Sequence, residues 1–143
     1  MRHIAAASLC LAVLSAVLLV GSPDRAEAQT TTTDQAIVDE ARSWIGTPYG
    51  AYGADCSGLT SQVFAQFGIY LPDDPAAQWS YGAPSTAEAG DLVFYNEDGY
   101  GISHVGIATG YGTIIHASTY FGAVVETPMY DIPGYVGAVD VTY

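Results

Sequence analysis

The spacing of apolar residues changes along the chain and separates a helical part from an extended part. Apolar residues three and four positions apart predict a helix over residues 34–45, ended by Gly46. The same spacing predicts a second helix over residues 56–67, with Asp55 at its N-cap. Between them lies a glycine-rich loop, and a proline-rich stretch after the second helix contains one predicted helical turn near residues 76–79.

From residue 90 onward, apolar and polar residues alternate, which is the pattern of strands whose two faces meet different surroundings. Glycine, proline and aspartate separate the alternating segments and predict turns between them. The five predicted strands cover residues 91–96, 104–109, 113–118, 123–127 and 135–141. Helices followed by strands predict an α+β domain, in which helices pack on one side of an antiparallel sheet.

The N-terminal segment has the pattern of a secretory signal peptide. A basic start, an apolar run over residues 4–20 and small residues just before Gln29 assign residues 1–28 to this signal. An uncleaved membrane anchor is the alternative, but the apolar run is at the short end for a bilayer span. We therefore expect an exported protein with a flexible start over residues 29–33 and a single domain over residues 34–143.

Acidic residues greatly outnumber basic ones. The chain has 15 Asp and Glu against three Lys and Arg, a formal net charge of −12. The predicted signal contains two acids and two arginines, so the charge of the remainder is unchanged and Arg42 is its single arginine. Such a surface is unsuited to nucleic acid or to anionic lipid. We expect neither a nucleic-acid partner nor stable membrane association after signal cleavage, and we expect a monomer.

One cysteine remains in the exported chain, because Cys10 leaves with the signal and Cys56 is retained. No internal disulfide can then form. Cys56 is the first residue of a predicted helix, where backbone N–H groups favour an anion, and we therefore predict a depressed thiol pKa. The same N–H groups are placed to receive an oxyanion. An inert buried cysteine is the alternative, so the neighbouring residues must decide.

Two histidines of the exported chain flank the short turn at residues 110–112. If Thr109 pairs with Thr113, His104 and His116 are diagonal neighbours on one face, within about 7 to 8 Å at the backbone. One ring can then take a proton from a thiol while the other orients it, as in hydrolytic triads. A metal site is the rival use of these residue types, but the usual ligand spacings are absent from the sequence, and we expect neither metal nor cofactor.

Five short motifs together resemble those of the NlpC/P60 family of cysteine peptidases. They are Gly46-Thr47-Pro48-Tyr49, Asp55-Cys56-Ser57-Gly58-Leu59, Gly90-Asp91-Leu92-Val93-Phe94-Tyr95, Ser103-His104-Val105-Gly106-Ile107 and Ile115-His116-Ala117. Their order matches the family, as do the spacings of 48 residues between Cys56 and His104 and 12 between His104 and His116. The resemblance covers most of the predicted domain.

This resemblance implies a papain-like α+β fold in permuted order, with a five- to six-stranded antiparallel sheet. It implies hydrolysis of peptidoglycan stem peptides between D-Glu and the diamino acid that follows, outside the cytoplasm, in the cell wall or the periplasm. Cys56 would be the nucleophile, His104 the base and His116 the residue that orients the base.

The resemblance also implies a substrate cleft around the thiol. Tyr49 would assist the oxyanion or the substrate, and Asp55 and Ser57 would line the same cleft. Two departures lie nearby: the segment from Tyr49 to Asp55 is short, and Leu71-Pro72-Asp73 stands where the family often has Leu-Pro-Arg. Gln78, in the proline-rich stretch, is expected to be solvated.

Two other functions remain open. Related folds also act as amidases or acyltransferases on other exported amides, and fold alone does not choose among them. The same scaffold can also serve as a binding or regulatory module of the cell wall without turnover.

Overall fold

The helices lie in the first part of the chain. In the computed structural model, which describes the backbone from residue 23 and the side chains from residue 32, helix α1 spans Pro23–Ser43, α2 Cys56–Ala65 and α3 Pro75–Gln78. Helix α1 begins earlier than predicted and includes residues 29–33, since no glycine or proline interrupts residues 24–43. The rest of the predicted signal, residues 1–22, lies outside the described residues. From residue 23 onward, no helix combines the length and apolarity that a membrane span needs.

The second half of the chain forms one antiparallel sheet. Its strands, in spatial order β1-β6-β2-β3-β4-β5, confirm the predicted α+β class. They are β1 (Ala83–Ser85), β2 (Leu92–Tyr95), β3 (His104–Ala108), β4 (Thr113–Ser118), β5 (Ala123–Pro128) and β6 (Tyr135–Asp140). All five predicted strands are present. Strand β1 was not predicted, because three residues are too few to show alternation.

The two faces of the sheet are buried by different parts of the chain. Helices α1 and α2 cover one face, where Ile37 and Leu59 join Phe94 in the larger apolar cluster. Tyr95 points to the opposite face and belongs to a smaller cluster. Because His104 is the cross-strand partner of Tyr95, it also points away from the helices.

The first turn of α2 packs closely against the glycine-rich loop before it. A Cβ atom at Gly58 would collide with the carbonyl oxygen of Gly53 and lie 2.8 Å from Oδ1 of Asp55. Asp55 is the N-cap, as predicted, and its carboxylate accepts a hydrogen bond of 2.8 Å from the Gly58 N–H. The loop and the start of the helix therefore form one packed unit.

Candidate active site

A cavity of about 530 Å³ opens where the start of α2 meets the beginning of β3. The helix approaches from one face of the sheet and the histidine side chains from the other. The residues that line the cavity include Tyr49, Cys56, Glu97, His104, His116 and Thr127. Four of the six residues predicted for the site therefore lie on one cavity.

Cys56 begins helix α2, as predicted, and its thiol is half-buried. Its Sγ donates a weak hydrogen bond to the carbonyl oxygen of Ser103, 3.9 Å away, just before β3. Burial raises the pKa of the Cys56 thiol, and the Asp55 carboxylate adds to the rise, although the N–H groups of Ser57 and Val105 oppose it. The predicted depression of the pKa was therefore wrong, because desolvation outweighs the helix start.

The two histidines form a direct pair. The register of β3 and β4 is the predicted one, with Ile107 opposite Ile115. Nε2 of His104 lies 2.9 Å from Nδ1 of His116, with the rings edge to face. Their exposed fractions are 7% and 4%, so the hydrogen bond between them is shielded from water.

Burial makes both imidazoles neutral near pH 7. Burial and the neighbouring His116 lower the pKa of His104 to about 4, and burial lowers the pKa of His116 to about 4. The free protein therefore holds a neutral thiol beside a neutral imidazole. Because Nε2 of His104 is occupied by His116, the nitrogen left for proton transfer is Nδ1.

Two further residues contact the histidine pair and were not predicted. Oγ1 of Thr127 lies 3.0 Å from Nε2 of His116, and Oε2 of Glu97 lies 3.9 Å from Nδ1 of His104. The β4–β5 hairpin register could have indicated Thr127, since it places Thr127 opposite Ile114 and beside His116. Glu97 lies in the loop between β2 and β3, for which alternation gives no signal.

Tyr49 reaches the cavity from the glycine-rich loop. Its N–H donates to the carbonyl of Gly122 at 2.9 Å, and Pro48 forms a single β-bridge with Ala123. Burial and the nearby Cys56 raise the pKa of the Tyr49 hydroxyl. The loop is thereby tied to the turn between β4 and β5, with Tyr49 on the cavity wall.

Asp55 and Ser57 lie next to the thiol but use their side chains elsewhere. The Asp55 carboxylate caps α2. The Ser57 hydroxyl donates to Oδ1 of Asp73 at 2.7 Å. Asp73 is the residue found where the family often has arginine. Neither side chain is among those that line the cavity.

Gln78 is fully buried rather than solvated, and the expectation for it was wrong. Its Nε2 donates to the carbonyl oxygens of Ser57 at 3.1 Å and Pro72 at 2.7 Å. Its Oε1 accepts from the hydroxyl of Thr60 at 2.7 Å. The amide satisfies a carbonyl of α2 and one of the proline-rich stretch, and it thereby ties the first turn of α2 to that stretch.

The cavity wall is acidic. Glu97 and Asp131 both line it. Arg42 lies elsewhere, 3.4 Å from Glu126 and 3.7 Å from Asp39. The side chains around the thiol therefore offer no cation to a carboxylate ligand among the described residues.

A cysteine at a helix start, facing a buried histidine pair across a cavity, defines the thiol hydrolase class of site. The chain belongs to the NlpC/P60 family, whose family profile matches residues 42–133.

The names of similar proteins agree with this family assignment. A protein of Corynebacterium glutamicum named probable endopeptidase is 45% identical over 109 residues, which cover 69% of this chain and 50% of that protein. The gamma-DL-glutamyl hydrolase of Bacillus subtilis is 43% identical over 105 residues, which cover 66% of this chain and 25% of that protein. The chain thus spans half or less of the length of these relatives.

A solved structure has the same fold. The NlpC/p60 domain of the peptidoglycan hydrolase SagA superimposes with a TM-score of 0.66 at 37% identity, covering 75% of this chain and 97% of that domain.

Proposed function

We propose that the protein is an exported cysteine endopeptidase that hydrolyses peptidoglycan stem peptides. The observation that carries the proposal is the shared cavity of Cys56 and the His104–His116 pair, whose ring nitrogens are 2.9 Å apart. The family membership and the peptidoglycan hydrolase SagA support the substrate class.

In the proposed reaction, Cys56 is the nucleophile. Its Sγ attacks the amide carbonyl as Nδ1 of His104 takes the thiol proton, because both groups are neutral beforehand. The oxyanion would be received by N–H groups at the start of α2, with the hydroxyl of Tyr49 on the same cavity. His104 then gives the proton to the leaving amine, and the amine departs.

The second half of the reaction releases the acyl-enzyme. Water takes the place of the amine, His104 removes its proton, and the thioester is hydrolysed to a carboxylate and the free thiol. His116 holds the His104 ring in place throughout, through the bond at Nε2.

For the bond that is cut, we propose the one between D-Glu and the diamino acid. The relative from Bacillus subtilis is named a gamma-DL-glutamyl hydrolase, which supports cleavage after a γ-linked D-Glu. Cleavage of another exported amide, by an amidase or acyltransferase, is the competing outcome.

Digestion of purified peptidoglycan, followed by mass spectrometry of the released fragments, tests the proposal. The wild-type protein should release fragments ending in D-Glu, and Cys56→Ala should release none. The exposed-site variant Thr86→Ala should match wild type. Equal products from wild type and Cys56→Ala would refute the nucleophile, whereas products of another bond would refute only the specificity.

The predicted export has a separate test. N-terminal sequencing of the protein recovered outside producing cells should give a chain that starts at Gln29. A chain that retains the first 28 residues would contradict signal cleavage.

A further inference from the structure

The histidine pair continues into a third side chain. His116 Nδ1 contacts His104 Nε2 at 2.9 Å, and His116 Nε2 contacts the Thr127 hydroxyl at 3.0 Å. Both distances are those of ordinary hydrogen bonds. The three side chains therefore form a continuous chain that starts at Nε2 of His104 on strand β3 and ends on strand β5.

The position of Thr127 follows from the sheet. His116 is opposite Val125 in the β4–β5 ladder, and Thr127 is two residues further along β5. Residues two apart in a strand share a face, so Thr127 is the diagonal neighbour of His116. A β-branched side chain has restricted rotamers, which holds the hydroxyl in place.

Only one arrangement of protons in this chain leaves His104 able to act as a base. A neutral imidazole carries one N–H, and Nδ1 of His104 must be free of it to accept the thiol proton. His104 must then donate from Nε2 to Nδ1 of His116. His116 consequently carries its own proton on Nε2 and needs an acceptor there, which is the Thr127 oxygen.

The reversed arrangement is inactive. If His116 held its proton on Nδ1, it would donate to His104, whose own proton would then sit on Nδ1, the nitrogen that must accept the thiol proton. Glu97 would favour this state if it accepted from Nδ1, but its oxygen is 3.9 Å away, beyond hydrogen-bond distance. Glu97 acts on His104 through charge, whereas Thr127 acts through a directional bond.

We propose that Thr127 is a positioning residue: its hydroxyl oxygen accepts the Nε2 proton of His116, and this bond supports the basic tautomer of His104. This inference rests on the proposed role of His104 as the base. It adds a residue outside the three that the family resemblance implies.

Steady-state kinetics of the full chain, purified from an exporting host, test the role on a synthetic peptide that contains the D-Glu–diamino acid bond. In Thr127→Val, the loss of one hydrogen bond should lower kcat about three- to tenfold and leave KM unchanged. Thr127→Ser should restore kcat, and the exposed control Thr86→Val should equal wild type.

Three kinetic results would overturn the proposal. They are an unchanged kcat in Thr127→Val, a raised KM with unchanged kcat, which would indicate a substrate contact, and a Thr127→Ser variant as slow as Thr127→Val. If wild type itself does not cleave the peptide, the proposed bond specificity fails, and the tautomer measurement below still tests Thr127.

Nuclear magnetic resonance of ¹⁵N-histidine-labelled protein above pH 7 reads the tautomers directly. Wild type should carry N–H on Nε2 of both rings, and Thr127→Val should move part of the His116 population to Nδ1. A wild-type His104 protonated on Nδ1 would overturn the proposal even if the variant fails to fold. Identical tautomers in wild type and a folded Thr127→Val would do the same.

Discussion

Helix α2 and the β3–β4 hairpin both contribute residues that line the cavity, but different interactions hold them in position. The histidines project from neighbouring strands, so the sheet register brings His104 and His116 together. The start of α2 is held instead by side chains from outside the sheet, with Gln78 at the end of α3 bonded to the carbonyl of Ser57. Backbone pairing therefore positions the proposed base, and a buried side-chain amide and a helix cap position the proposed nucleophile.

This difference predicts whether a substitution in each half of the site first lowers activity or stability. The backbone ladder does not depend on the imidazoles themselves, so replacing either histidine by a polar residue of similar size should affect chemistry before stability. A buried side-chain network leaves several groups without partners when one member is removed, so substitutions beneath α2 should affect stability first.

The largest effect is expected in the hairpin, from the loss of the base. His104→Gln should lower kcat by about 10²- to 10⁴-fold, the range for a general base, with little change in stability. His116→Asn retains a polar partner for Nε2 of His104 and should lose less. Stem-peptide kinetics and thermal denaturation of both variants measure the two quantities. A fully active His104→Gln would remove the histidine pair from the mechanism.

The next effect is expected beneath helix α2. Gln78→Ala leaves the Thr60 hydroxyl and the carbonyls of Ser57 and Pro72 short of partners, so it should lower the free energy of unfolding by about 2 to 4 kcal/mol. Urea denaturation measures the change. Gln35→Ala, an exposed glutamine on α1, is the matched control and should be within about 0.5 kcal/mol of wild type. Equal stabilities of the two variants would show that the buried amide does not hold the helix.

A smaller effect is expected from acid, and it belongs to the hairpin. Both histidines have a folded pKa of about 4, below the ordinary 6.5, so the unfolded chain binds protons first as the pH falls. Their contribution to stability is complete above about pH 6.5 and is lost as the pH falls toward about 4.

Urea denaturation at pH 7 and pH 4.5 measures this loss. The loss should exceed that of the double variant His104→Gln, His116→Gln by on the order of 2 kcal/mol per histidine. Carboxylates with raised pKa values, such as Asp34 and Asp91, are present in both proteins and cancel in the comparison. Equal losses would mean that the rings titrate normally in the folded protein.

The smallest effect is expected from salt. From residue 32 onward, where side chains are described, the cavity wall has Glu97 and Asp131 and no arginine, while the proposed substrates carry carboxylates. Added salt should screen this repulsion and lower KM by roughly twofold. Kinetics across ionic strength measure it, with a neutral amide analogue of the peptide as control. A KM that worsens with salt would indicate an attractive ionic contact.

The features that could be predicted from sequence are those that local patterns determine. The helices, five of the strands and the hairpin register follow from the periodicity and turn residues, which are local signals. The contact between His104 and His116 was predictable because a single register determined it. Tyr49 came from the family resemblance alone.

The remaining features depend on distant parts of the chain. The pKa of Cys56 rises because the folded protein buries the sulfur, and no local pattern reports that burial. Gln78 is buried because it bonds Ser57 and Thr60 of helix α2, which lie 21 and 18 residues earlier in the chain. Glu97 approaches His104 from the loop between β2 and β3, and the periodicity of apolar residues does not predict the conformation of a loop.

The contact between Gly58 and Gly53 changes how the motif around the nucleophile should be understood. In Asp55-Cys56-Ser57-Gly58, Cys56 is the proposed nucleophile, and the missing side chain of Gly58 lets the loop lie directly on the helix. A larger residue at position 58 would collide with the Gly53 carbonyl and force the loop and the helix apart. The close packing of the loop on the helix therefore requires glycine at this place. A search for related enzymes can use this glycine as a marker of that packing rather than of the chemistry.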